Sequence, residues 1–263
     1  MSNEKEFLLW EDKVPGYIGG EIPKITYYPS KNKKGDGAVV IFPGGGYAMR
    51  ADHEGKGYAK YLCNNGIDCF VVDYRVSPNR FPYPLLDARR AVRFVRANAG
   101  KFGVNKNKIA VMGSSAGGHL AALLSTYKLP VEGESADNID SNDFMPNLQI
   151  LCYPVIDIEG HRGSFVNLLG DNADELADTV TPYLLCDKNT PPVFLWHTSC
   201  DPAVNVINSY RYAIALRKLS VQVEMHIYPE GGHGLGLAES TPFISGWSAR
   251  LCEFLRHYGY ISE

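Results

Sequence analysis

Apolar residues fall along this chain in two kinds of run that take turns. Short, continuous, β-branched or aromatic runs at 38–42, 69–72, 109–112, within 148–156, at 192–197 and at 221–228 suit strands buried on both faces. Between them the spacing changes. Ala88, Ala91, Val92 and Val95 recur at i, i+3, i+4 and i+7 and predict the buried face of a helix over 84–98. Further helices are expected over 54–65 with Tyr58, Ala59 and Leu62 inward, over 116–124, over 204–219 and over about 242–257. Segment 25–28 reads as an edge strand closed by Pro29, and 1–24, broken by Pro15, Gly16, Gly19, Gly20 and Pro23, as an irregular lead-in. Strands alternating with helices predict an α/β architecture, a mainly parallel sheet with helices on both faces.

Polar stretches refine this picture. Residues 130–147 are rich in Asp and Glu, with no Lys or Arg between 129 and 161, and read as a solvated surface insertion. A rim that disfavours anionic substrates is the weaker alternative. Arg89, Arg93 and Arg96 lie mostly off the apolar face of their helix and read as solvated surface. Segment 160–190 is mixed and Pro-broken, a candidate small lid. No repeat and no long linker divides the 263 residues, so a single domain over 1–263 is expected.

Composition removes several function classes. Hydrophobic residues make up 45% and charged residues 21%, with a net charge of −3, so neither a nucleic-acid nor an anionic-membrane partner is expected. The acidic N-terminus has no apolar signal-peptide core and no window is long enough to span a membrane, which points to a cytoplasmic protein. Six cysteines with no C-x-x-C pair read as free thiols, with no metal or cofactor motif. Cys200, in a loop of chemical interest, stands apart with no role assigned. A homodimer is left open.

The chemistry gathers at strand ends, where ligands collect in such sheets. Gly113-Ser114-Ser115-Ala116-Gly117 is a G-x-S-x-G turn between strand and helix, which strains and exposes the central Ser at a helix N-terminus. Alone, the pattern is equally well a small-residue linker. Pro43-Gly44-Gly45-Gly46-Tyr47 follows the 38–42 strand, and three glycines there suit backbone N–H groups brought close to a ligand. A Ser nucleophile needs a base and an orienting acid. Of seven histidines only His233 lies in a glycine-flanked loop after a strand. His197 and His226 read as strand residues, His119 as helix packing, His53 as near the glycine loop, and His161 and His257 have no supporting context. Asp201 is the first choice of acid and Asp157 the second, with Asp87 and Asp187 less suited. The oxyanion hole falls to the N–H groups of Gly45, Gly46 and Ala116, each such donor contributing about 2.7–4 kcal/mol. The order Ser115, Asp201, His233 is that of α/β-hydrolases.

On VVIFPGGGY (39–47), DARRAVRFVRAN (87–98), IAVMGSSAGGHLAA (109–122), PPVFLWHTSCD (191–201) and HIYPEGGHGLGL (226–237), the chain resembles the esterase/lipase group of α/β-hydrolases. Within it, the likeness is to small bacterial acetyl xylan esterase-like carbohydrate esterases. The group's usual His-Gly-Gly-Gly is Pro43-Gly-Gly-Gly here, and its Gly-Asp-Ser-Ala-Gly has Ser114 for Asp. The resemblance implies an α/β-hydrolase fold of about eight strands with a minimal cap, and a serine esterase without cofactor. The expected substrate is a short acyl ester, such as acetyl on a sugar or xylo-oligosaccharide. Tyr47, Trp196 and the 74–84 loop are candidate sugar-stacking surfaces, with core packing an equal reading for Trp196. The competing functions are a general carboxylesterase, a formamidase-like amidase, a small peptidase, and a non-catalytic ligand-binding protein of the same fold.

Overall fold

The computed structural model describes residues 4–11, 13–134 and 137–262. One eight-stranded sheet organises it. The strands are β1 (Lys5–Leu8), β2 (Lys24–Tyr28), β3 (Ala38–Phe42), β4 (Asp68–Asp73), β5 (Ile109–Ser114), β6 (Leu148–Cys152), β7 (Val193–Thr198) and β8 (Val223–Tyr228), in the order β1-β2-β4-β3-β5-β6-β7-β8. β1, β2 and β4 pair antiparallel, and every pairing from β4 onward is parallel.

β3, β5, β6 and β7 are buried along their whole length. Successive side chains alternate between two cores, as the strand period of two demands. Val40 and Phe42 face one core with the helices α2 (Tyr83–Ala97), α4 (Ser115–Thr126) and α8 (Ile207–Lys218). Val39 and Ile41 face the other with α1 (Asp52–Asn64) and α10 (Trp247–His257). α4 is buried on all sides, because it lies on β5 and β6 and is covered in turn by α2 and by the short α7 (Pro182–Leu185). α3 (Ala99–Phe102), α5 (Arg162–Leu169), α6 (Ala173–Leu176) and α9 (Pro242–Ser245) are connectors. Among the described residues no helix is long and apolar enough to cross a membrane.

Three expectations change. The lead-in is not wholly irregular, since β1 pairs outside β2 and so moves β2 off the edge. Four mostly exposed residues are too few for an alternation to be legible, and only Phe7 reaches inward, onto Phe94 at 5.5 Å. The arginines of α2 are not a solvated face, because Arg89, Arg90 and Arg93 are 1%, 2% and 7% exposed. Nor is 130–147 a free loop. Glu134 holds Arg89 at 2.6 Å, Asp137 holds Arg90 at 2.7 Å, and Asp140 lies 2.9 Å from Arg90. The segment follows the far end of α4, about 18 Å along that helix from Ser115, so it covers α2 and does not rim the candidate site.

Candidate active site

Ser115 begins α4 directly after β5, with φ at +51°, a left-handed conformation that costs a non-glycine residue on the order of 1–2 kcal/mol. The flanking glycines make the turn feasible. A Cβ on Gly113 would lie 2.1 Å from the Gly117 carbonyl oxygen, and one on Gly117 would lie 2.1 Å from that of Phe42. The hydroxyl sits at a helix N-terminus, where free N–H groups favour negative charge.

The loops after β7 and β8 bring Asp201 and His233 to it. Ser115 Oγ is 2.8 Å from His233 Nε2, and His233 Nδ1 is 2.7 Å from Asp201 Oδ2. The carboxylate can only accept, so Nδ1 carries the proton and Nε2 is the acceptor for the Ser115 hydroxyl. Burial alone would raise the pKa of Asp201. Hydrogen bonds from His197, His233 and the Val204 N–H outweigh it and hold the carboxyl well below the usual carboxylate range.

His197 is a partner that strand periodicity could not reveal. It is fully buried; its Nδ1 meets Ser209 Oγ at 2.7 Å, and its Nε2 lies 3.2 Å from Asp201 Oδ2 and 3.0 Å from the Val204 carbonyl. Two acceptors at Nε2 place the proton there, so Ser209 donates to Nδ1. Asp201 is thus held from behind by one histidine while it holds another in front.

Asp157, the second choice of acid, is engaged elsewhere, with Arg211 at 2.6 Å and the Gly160 N–H at 2.9 Å. Asp87 is forked by Arg75 with two contacts of 2.8 Å, and Asp187 pairs with Lys128. Among the other histidines, His53 bonds the Gly234 carbonyl at 2.9 Å and His226 bonds Glu224. His161 lies at the site after all. Its Nδ1 accepts from the Ser164 N–H at 3.1 Å, and its Cε1 would be 4.0 Å from a Cβ on Gly46. Burial first, then the nearby His233, lowers its pKa.

In the glycine loop, the Gly44 N–H donates to Glu54 Oε2 at 2.9 Å, which leaves Gly45 and Gly46 as the candidate oxyanion donors beside Ala116. Gly45 and Gly46 have φ of +130° and +64°. A Cβ on Gly45 would lie 2.3 Å from the Met49 carbonyl oxygen. Tyr74 OH donates to the Pro43 carbonyl at 2.6 Å, and Asn167 Nδ2 to that of Gly46 at 2.9 Å, so the loop is tied on both sides.

Neither aromatic proposed for sugar stacking can serve. Tyr47 is 1% exposed and Trp196 0%. Burial raises the Tyr47 phenol well above its ordinary pKa, so it donates to His119 Nδ1 at 2.7 Å. His119 in turn donates from Nε2 to the Val180 carbonyl at 2.9 Å, which pins the glycine loop to α4 and to segment 160–190. Trp196 stacks on Trp247, centroids 4.8 Å apart, beneath the sheet. Cys200 is exposed, with Sγ 3.2 Å from the Pro229 carbonyl. Among the described residues no group of three or more His, Cys, Asp or Glu is placed to hold a metal ion.

The family model described as BD-FAE matches residues 26–216. The chain belongs to the BD-FAE family. Among relatives of this family member, the endo-1,4-beta-xylanase B of Butyrivibrio fibrisolvens is 35% identical over 252 residues, covering 91% of this chain and 39% of that protein. The acetylxylan esterase of Xylanibacter ruminicola is 33% identical over 226 residues, covering 82% of this chain and 44% of that protein. The chain thus spans about two fifths of the length of these two relatives. The crystal structure of an acetyl ester-xyloside bifunctional hydrolase from Caldicellulosiruptor lactoaceticus superposes with a TM-score of 0.92 at 39% identity, covering 98% of this chain and 97% of that one. The α/β-hydrolase fold expected from the sequence is the fold observed.

Proposed function

We propose that this BD-FAE chain is a serine carboxylic-ester hydrolase that removes short acyl groups, chiefly acetyl, from sugars or xylo-oligosaccharides by way of an acyl-enzyme. The observation that carries the reading is the unbroken hydrogen-bonded path from Ser115 through His233 to Asp201, set beside Gly45 and Gly46. Relatives named for acetylxylan and acetyl ester-xyloside hydrolysis support the choice of acyl group and alcohol.

In this mechanism His233 Nε2 takes the proton as Ser115 Oγ attacks the ester carbonyl. The imidazolium that forms is stabilised by Asp201, which His197 keeps in place. Negative charge on the tetrahedral oxygen is received by the N–H groups of Gly45, Gly46 and Ala116. His233 returns the proton to the departing sugar oxygen, leaving acetyl on Ser115. Water, deprotonated by the same nitrogen, then releases acetate.

Fluorophosphonate labelling and p-nitrophenyl acetate turnover test the reading. The wild type labels and turns over, and Ser115→Ala does neither. A wild type that neither labels nor hydrolyses acetate or butyrate esters overturns it. A preference for formamides over acetyl esters would move the reading to the amidase alternative.

A further inference from the structure

We infer that the cavity at the C-terminal end of β4, beside the glycine loop, is a binding subsite for a neutral sugar unit adjoining the one that carries the acyl group. This rests on the esterase reading for its biological sense but not for its test. The cavity has a volume of about 500 Å³, within the usual range for small-molecule sites, and its walls include Glu21, Met49, Arg50, Asp52, Asp73 and Asn79.

Its position follows from the glycine loop. The Ala48 and Met49 N–H groups both donate to the Gly45 carbonyl, at 3.0 and 3.1 Å, so this wall is the continuation of the turn that offers Gly45 and Gly46 to the reacting ester. The opposite wall is fastened to the same loop, the Ser77 N–H donating to the Tyr47 carbonyl at 2.7 Å. The cavity is therefore built on the same turn as the candidate oxyanion donors.

The lining selects for hydroxyl groups. Both cations are held by carboxylates of the protein. Arg75 forks Asp87, and Arg50 donates to the Tyr74 carbonyl at 2.9 Å, pairs with Glu21 and lies 3.5 Å from Asp73. Arg50 Nε, the one guanidinium nitrogen of the two without a hydrogen-bond partner, is buried against Asp73, and the carboxylates of Glu21, Asp52 and Asp73 repel an anion. Asp52 and Asp73 keep acceptor capacity, which a neutral polyol matches with O–H donors. A second observation points the same way. Asn79 is 6% exposed, yet its Oδ1 has no hydrogen-bond partner, an unusual expense for a buried acceptor. The wall also holds Met49, 57% exposed, with Val76 and Pro78. Such apolar surfaces suit the C–H face of a pyranose ring.

The test separates this site from the chemistry. Ser115→Ala protein, full length and labelled for amide NMR, is titrated with unacetylated xylose and xylotriose. Xylotriose is expected to bind at least tenfold more tightly than xylose and to shift the amides of residues 48–52, 75–77 and 79. Adding Asp52→Asn and Asp73→Asn should weaken xylotriose at least fivefold. In protein that retains Ser115, the same pair should leave kcat/KM for p-nitrophenyl acetate within twofold. Met49→Ala, on an exposed side chain, gives a second reading if the paired variant folds poorly. Absence of xylotriose binding, shifts confined to residues elsewhere, or equal affinity in all cavity variants overturns the subsite. If p-nitrophenyl acetate is hydrolysed while xylotriose does not bind, the subsite fails and the esterase reading stands. If xylotriose binds here but no ester is hydrolysed, the reverse holds.

Discussion

Glu54 Oε2 accepts the Gly44 N–H at 2.9 Å, directly below the turn that carries Ser115. A Cβ on Gly44 would lie 2.3 Å from that oxygen and 3.2 Å from Ser115 Cβ. The other carboxyl oxygen accepts the Tyr153 hydroxyl at 2.6 Å, and Tyr153 accepts the Gly236 N–H at 2.9 Å. Burial raises the Tyr58 and Tyr153 phenols well above their ordinary pKa, so both remain donors. Tyr153 has spent its proton on Glu54. Tyr58 therefore donates to Tyr153 at 3.1 Å, and Ser114 donates to Tyr58 at 2.9 Å. One buried carboxyl group thus ends a directed chain that joins the glycine loop, the nucleophile strand and the histidine loop.

Glu54→Gln should therefore damage catalysis more than binding. Its amide NH2 cannot accept, so either the Tyr153–Tyr58–Ser114 donors reverse or the glycine loop or the His233 loop shifts. A displacement approaching 1 Å lowers kcat about 10–100-fold, with KM for p-nitrophenyl acetate changing little. Steady-state kinetics beside a thermal melt checks this. A KM effect with normal kcat would assign Glu54 to ground-state binding instead.

Tyr153→Phe removes one hydroxyl that serves three partners. A buried carboxyl oxygen and the Gly236 N–H each lose a partner, at about 1–3 kcal/mol for each group left unsatisfied. Urea unfolding should show this loss. The ring, whose centroid is 5.1 Å from that of His233, stays in place.

Asp201→Asn should lower kcat by about ten-thousand-fold, since a neutral amide neither fixes the His233 tautomer nor stabilises its imidazolium. Asp157→Asn breaks the contact to Arg211, outside the hydrogen-bonded path, and should leave kcat within about threefold. Near-normal turnover in the first with a large loss in the second would exchange the two assignments.

Stability should depend on pH through His119. Burial lowers its pKa from 6.5 to about 4. Between those values the unfolded chain binds a proton that the folded chain refuses. Stability is therefore fully present above pH 6.5 and declines as pH falls toward 4, by about 3 kcal/mol in all. Urea midpoints measured from pH 7.5 to 4.5 should follow this slope. His119→Gln should flatten it, whatever it does to stability at neutral pH.

That Ser115, Asp201 and His233 meet is legible in sequence, because each combines a distinctive residue type with a strand end, where a parallel sheet gathers its chemistry. Glu54 was not. An acid in the first turn of a helix looks the same whether it faces water or a buried N–H ten residues away. His197 was hidden likewise, since period-two patterning says that a strand residue points inward but not what it meets there. Tyr47 and Trp196 failed for the opposite reason. An aromatic residue near a site draws a ligand-binding reading, and only packing shows that both rings are already enclosed. The arginines of α2 did carry a signal, in the acid-rich stretch without Lys or Arg that follows 129, but it required matching two charged segments about forty residues apart.

That match bears on how such a chain can change. Arg89, Arg90 and Arg93 are enclosed with their charges intact because the 130–147 segment brings carboxylates to them. Trimming the segment as a dispensable loop would remove counterion and cover together and open this face of α2 to water, whereas neutralising Glu134, Asp137 and Asp140 in place would leave the cations enclosed without partners, a heavier penalty than never having had the pair. Helix and loop therefore form one unit of inheritance, and a shortened relative or a redesigned core should keep both or replace both.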